Sequence, residues 1–174
     1  MKIRKVTLQT GKLVKLRDFY IDKLGFKCEF EDENSFSIIA GGSLLKFEKW
    51  HQDSFYHFAF NISENMIEQS LEWIKGKAEP IVYEGNSIID FSSWDAHSIY
   101  FYDPARNIVE FIARHRLKNS AGGKFSVNNI TSISEIGMPV KDVKTFFEDV
   151  NKSTDIPLFS VDNKTFTAAG DDEG

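Results

Sequence analysis

The chain has 174 residues, 41% of them hydrophobic and 27% charged, and its formal net charge is −5 at pH 7. This length can enclose a hydrophobic core, and the acidic balance argues against nucleic acid, because phosphate binding requires a basic surface. The single cysteine, Cys28, excludes an internal disulfide and a cysteine-rich zinc site. The sequence has no signal-like leader and no apolar run of membrane length, so we expect a globular, cytoplasmic protein with no membrane partner.

The first fifty residues predict one strand, one helix and three more strands. Polar and apolar residues alternate over 5–10, and apolar residues then recur at three- and four-residue steps over 12–24 until Gly25. Strands are predicted at 26–31, 35–40 and 43–48, with the Gly41-Gly42 pair as the turn of a hairpin.

The same order then begins again. Residues 56–62 alternate as a strand, and an amphipathic helix follows, with Ser63 as its predicted N-cap and Gly76 as its end. Strands are predicted at 81–84 and 88–92, before a final hairpin over 97–114. The first 115 residues therefore predict an internal repeat, in which one structural unit occurs twice.

The hairpin over 97–114 contains the most unusual residue of the chain. Asp103 and Pro104 open its turn, and Glu110 stands alone among apolar residues in the returning strand. A carboxylate in that position is costly unless a cation or hydrogen-bond donors meet it. Glu110 is therefore the first candidate for a functional group.

The last third of the chain predicts a partial copy of the same unit. A basic, glycine-containing connector spans 116–129, and residues 130–174 contain a predicted strand (133–140), a helix (142–150) and two short strands (159–161 and 165–169). We interpret this part as an incomplete third βαβ-like module.

Three segments together resemble the vicinal-oxygen-chelate superfamily, which includes glyoxalases, bleomycin-resistance proteins and extradiol dioxygenases. They are LRDFYIDKLGF at 16–26, YHFAF at 56–60, and the aromatic strand, Asp103-Pro104 turn and Glu110 of the hairpin. The match departs from the family pattern at Arg106, where the family usually has Gly. The resemblance implies an α+β fold, in which two paired βαβββ modules (1–115) form a curved eight-stranded mixed sheet with a central cleft.

In metal-using members of that family, three side chains meet in the cleft. Carried over to this sequence, the metal ligands are His57 and Glu110, and the metal is Fe, Mn, Zn or Ni. The first ligand position falls on Lys5, whose ammonium has no lone pair for a metal. A metal held by His57, Glu110 and Gln9 as the substitute ligand is a further alternative. Gln9 shares the orientation of Lys5 but lies about 13 Å further along the strand, too far for the same position.

Lys5 suggests a metal-free alternative. If Lys5 and Glu110 both point into the cleft, the ammonium supplies the positive charge that a metal supplies elsewhere, and the pair acts in catalysis or holds a small anionic or oxygen-rich ligand. An inert ion pair in a vestigial site is an equally good interpretation. The further candidates for ligand binding are Gln9, Trp94, Tyr100 and His97, although aromatic residues are more often core and His97 fits a surface histidine.

These residues leave three functions open. The chain is a binding protein for a small molecule, as in the bleomycin-resistance branch; a metal-dependent lyase, isomerase or ring-cleavage dioxygenase that uses His57 and Glu110; or an interaction protein with a vestigial cleft. The resemblance also implies a homodimer.

Overall fold

The computed structural model describes residues 1–162 and 166–174 and shows an α+β fold, as predicted. The helices are α1 (Leu13–Arg17), which continues as a π-helix over Asp18–Lys23, α2 (Ile67–Lys75) and α3 (Val143–Thr154). The strands are β1 (Lys5–Thr10), β2 (Lys27–Glu31), β3 (Ser35–Ala40), β4 (Ser43–Lys49), β5 (His57–Ile62), β6 (Ile89–Phe91), β7 (Ala96–Tyr102), β8 (Ile108–Arg114), β9 (Ile130–Ile136), β10 (Leu158–Asp162) and β11 (Phe166–Ala169). None of the helices in the described part of the chain is long and apolar enough to cross a bilayer.

Most predicted elements agree with the structure to within a few residues, and two differ. Residues 81–84 form no strand, and the isolated bridge in this range is that of Tyr83 with Asn86. The second helix begins after Met66, so Ser63 does not cap it. The predicted strand at 165–169 corresponds to β11, except for residue 165, which lies outside the described residues.

The strands lie in a four-stranded sheet and a five-stranded sheet instead of one eight-stranded sheet. The four-stranded sheet has the order β1-β4-β3-β2, and the five-stranded sheet has the order β6-β7-β8-β5-β9. In both, the opening strand of the unit runs parallel to its last strand: β1 beside β4, and β5 beside β8. The free edge of β5 is taken by β9, which pairs antiparallel with it. β9 therefore stands where a single paired sheet would require β1. Strands β10 and β11 form a separate hairpin.

The two sheets share one core that is rich in phenylalanine. Phe58, Phe60, Phe101 and Phe111 are fully buried, and the ring of Phe26 in the first unit lies 5.7 Å from that of Phe60 in the second. Burial of each such side chain contributes roughly 1.5–3 kcal/mol. This shared core fixes the five-stranded sheet relative to the rest of the molecule.

A buried carboxylate organises the turn between β7 and β8. Asp103 is 3% exposed and accepts hydrogen bonds from the backbone N–H groups of Ala105 (2.9 Å) and Asn107 (3.0 Å). It also accepts one from the Asn107 side chain (2.8 Å) and one from the Tyr20 hydroxyl (3.0 Å), which ties the first unit to the second. Asp103 thereby sets the path along which β8 begins.

We expect Asp103→Ala to lower the free energy of unfolding by about 3 kcal/mol, because it leaves several buried donors without a partner. Tyr20→Phe removes one neutral donor and should cost only about 1 kcal/mol. Urea denaturation of both variants measures the difference. An Asp103→Ala protein as stable as Tyr20→Phe would contradict the central role of this carboxylate.

Candidate functional site

Titratable side chains lie at neighbouring positions on one face of the five-stranded sheet. Tyr100 of β7 is the cross-strand partner of Glu110 of β8, and Ala59 of β5 is the partner of both Glu110 and Glu135 of β9. Cross-strand partners project to the same face of a sheet. Ala59 itself is fully buried between them.

Glu110 has the partner that its burial requires, and the partner is His57. Glu110 is 3% exposed, and its Oε2 lies 3.0 Å from Nε2 of His57. The structure thus brings together the two residues that the sequence proposed as metal ligands.

A second pair lies next to the first and was missed by the sequence analysis. The Arg114 guanidinium donates to the carboxylate of Glu135 and to the hydroxyl of Ser134, at 3.2 Å from its Nη2. The Arg114 side chain is only 4% exposed. The connection was visible in the spacing, since Arg114 follows Glu110 by four residues in the same strand and therefore projects to the same face.

Three side chains at this site, those of His57, Glu135 and Tyr100, have shifted pKa values. Burial alone would lower the pKa of His57, but the hydrogen bond to Glu110 and the charges of Glu110 and Glu135 raise it above its usual value. Burial and the charge of Glu110 raise the pKa of Glu135, against the opposing effect of Arg114. Burial, followed by the neighbouring Glu110 carboxylate, raises the pKa of Tyr100 well above its usual value. The site therefore has a histidine that keeps its proton more readily than usual and a phenol that does not ionise near neutral pH.

A cavity of about 830 Å³ lies over this polar floor. His57, Arg114 and Glu135 line one side of it. The opposite side is apolar and comes from α3 and the β10–β11 hairpin: Val143, Phe146, Phe147, Val150, Phe159 and Phe166. No residue of α3 is fully buried, so the apolar stripe of this helix covers the cavity and not a packed core.

Trp94 joins the two sides of the cavity. Its ring stacks on Phe91 of β6 at 5.6 Å, and it contacts Phe159 of β10 at 5.6 Å and Phe166 of β11 at 6.5 Å. The structure places Trp94 on the cavity wall. Tyr100 lies close by, with its ring centroid 6.0 Å from that of His57.

The remaining predicted residues lie elsewhere. Lys5 and Gln9 are exposed on β1 of the four-stranded sheet, and Lys5 is the cross-strand partner of Leu44. The expected pair of Lys5 with Glu110 is therefore corrected: β9 holds the edge of β5, and His57 is the partner of Glu110. His97 projects to the other face of its sheet, where its Nδ1 lies 2.9 Å from Nε2 of His115.

The arrangement does not fit the divalent metal that the resemblance implies. Among residues 1–162 and 166–174, no three His, Cys, Asp or Glu side chains are grouped as metal ligands. His57 and Glu110 alone give two ligands, with Nε2 of His57 3.0 Å from Oε2 of Glu110. In the structure, His57 and Glu110 are hydrogen-bond partners of each other.

The His57–Glu110 pair predicts a pH-dependent stability. The folded-state pKa of His57 is raised, so its contribution is complete below the unfolded pKa and is lost as the pH rises through the folded pKa. We expect the stability advantage of the wild type over His57→Gln to shrink between about pH 5.5 and about pH 8.5. Urea unfolding across this range measures it, with His51→Gln, an exposed loop histidine, as the control. An advantage that grows with pH would contradict the assignment.

No protein-family model and no curated protein matches the sequence. Solved structures do match. An integron cassette protein from the mobile metagenome of the Halifax Harbour sewage outfall is 21% identical, with a TM-score of 0.56 over 64% of this chain and 97% of that one.

Two further structures are similar. A glyoxalase/bleomycin resistance protein/dioxygenase from Nocardioides is 20% identical, with a TM-score of 0.53 over 71% of this chain and 87% of that one. Lactoylglutathione lyase from Agrobacterium tumefaciens is 16% identical, with a TM-score of 0.55 over 63% and 91%. At these identities the similarity is one of fold. The chain therefore has the fold of the glyoxalase/bleomycin resistance/dioxygenase proteins, as the sequence motifs indicated.

Proposed function

We propose that this protein binds a small, largely apolar molecule with an oxygen-bearing head group in the cavity between β9 and α3. The main support for this proposal is the cavity itself. Its volume of about 830 Å³ lies in the range of roughly 300–1,000 Å³ that is typical of small-molecule sites. It also has the usual composition of such sites, an apolar wall with a few convergent polar groups.

The polar floor suits a ligand with oxygen atoms. His57, Arg114 and Glu135 line the cavity, and each is held in place by a neighbour: His57 by Glu110, and Arg114 and Glu135 by each other. Groups that are already ordered lose little conformational entropy when a ligand arrives. The apolar body of the ligand would lie against α3 and the β10–β11 hairpin.

The second candidate is an enzyme of the lyase, isomerase or dioxygenase type. Two observations favour it: the fold, which includes a structure named as a lyase, and the His57–Glu110 pair, whose histidine has a raised pKa and could hold or transfer a proton. A metal-dependent form of it needs a third ligand beside His57 and Glu110. A vestigial cleft, with the C-terminal part acting in protein interaction, is the third candidate.

Three expectations from the sequence also stay proposals. They are the division into 1–115, 116–129 and 130–174, the homodimer and the cytoplasmic location. The first is supported by the order of β9, α3, β10 and β11, which repeats the strand, helix, strand and strand that open the first unit.

Ligand binding is tested by filling the cavity. Val140→Trp places an indole in the lining, whereas Val82→Trp makes the same change at a position that is 59% exposed and outside it. We expect the probes naphthol and naphthamide to raise the melting temperature of the wild type and of Val82→Trp, but not of Val140→Trp. Equal shifts in all three proteins, or none, would contradict binding at this site.

Metal analysis separates the first two candidates. We expect protein purified without chelator to contain metal well below one equivalent, and its melting temperature to stay unchanged when Mn, Fe, Zn or Ni is added. Stoichiometric metal that is lost in His57→Gln but kept in His51→Gln would instead favour the metal-dependent enzyme.

A further inference from the structure

We propose that Arg106 selects an anionic ligand for this cavity, so that the molecule bound has an apolar body and a single oxyanion head such as a carboxylate. This inference rests on the proposed function, since it names the class of ligand that the cavity takes.

The position of Arg106 suits recognition of a head group. It lies in the turn between β7 and β8, is exposed, and lines the cavity together with Tyr102 and Ile108. The guanidinium lies over the ring of Tyr102, with Cζ 3.9 Å from the ring centroid. Stacking on an aromatic face holds the planar guanidinium in one orientation, and its fork of donors matches an oxyanion with two oxygens.

The charges around the cavity leave Arg106 uncompensated. His57 is paired with Glu110, Arg114 with Glu135, and Asp171 with the N-terminal amine of Met1. Arg106 forms no ion pair with any carboxylate of the described residues, 1–162 and 166–174. An anion that enters the cavity therefore meets one cation that is free to bind it.

The backbone conformation of Arg106 also supports a role for its side chain. Its φ is +70°, a left-handed conformation that glycine adopts freely and that costs a residue with a Cβ. A side chain at such a position is easier to understand if it contributes something that glycine cannot. The contribution that the structure shows is a guanidinium stacked on Tyr102 in the cavity lining.

The experiment compares naphthoate with its neutral isostere naphthamide, by calorimetry at about pH 8.5, where His57 carries less charge. Arg106→Gly removes the guanidinium and also relieves the backbone. Lys118→Gly is the matched control, because Lys118 is exposed, also has a positive φ (+51°), and lies outside the cavity lining. Arg106→Lys keeps the charge and removes the fork.

We expect the wild type to bind naphthoate about tenfold more tightly than naphthamide, as one charge-assisted contact allows. Arg106→Gly should lose this preference while it still binds naphthamide, Arg106→Lys should keep part of it, and Lys118→Gly should keep all of it. A preference that survives in Arg106→Gly overturns the role of Arg106. If the wild type binds both probes equally well, the proposal of an anionic ligand is wrong, but the proposed function remains intact. If neither naphthoate nor naphthamide binds the wild type, the proposed function and the anionic ligand are both wrong.

Discussion

The antiparallel pairing of β9 with β5 is the constraint on which the site depends. It places Glu135 opposite Ala59, in the same row as Glu110, and it brings Ser134 and Glu135 to Arg114. Because α3 and the β10–β11 hairpin follow β9 in the chain, the same pairing also places them over the polar face of the sheet. The cavity therefore exists only because the third segment of the chain lies against the second.

The charged floor of the cavity is a set of mutually satisfied groups. Buried ionic groups are costly unless each finds a partner of opposite charge and further hydrogen bonds. Here Glu110 has His57, and Arg114 has Glu135 and Ser134. Each charged group of this floor is thus held in place by a partner of opposite charge. The site departs from a metal centre because no third His, Cys, Asp or Glu side chain is grouped with His57 and Glu110 in the described part of the chain.

The elements of the first two units were predictable because their signals are local. Alternation over 5–10 and 56–62, the Asp103-Pro104 turn and the isolated Glu110 each depend on neighbours in the chain, and the structure places strands and a turn at these positions. The proximity of Glu110 and His57 was implied by the family resemblance, which assigned both side chains to the cleft, and the structure places them 3.0 Å apart. By contrast, the expectation for Lys5 required knowing which strand would pair with β5, and no local pattern contains that choice.

Sequence alone determined that this is an α+β protein with repeated units, a buried Glu110 and an aromatic-rich core, because hydrophobic periodicity and turn chemistry act over a few residues. Tertiary structure alone decided that β9 and not β1 borders β5, that Arg114 and Glu135 join the site, and that an apolar face of α3 covers a cavity. The physical reason is that strand edges of similar chemistry compete for the same partner. The winner is set by the packing of the whole chain.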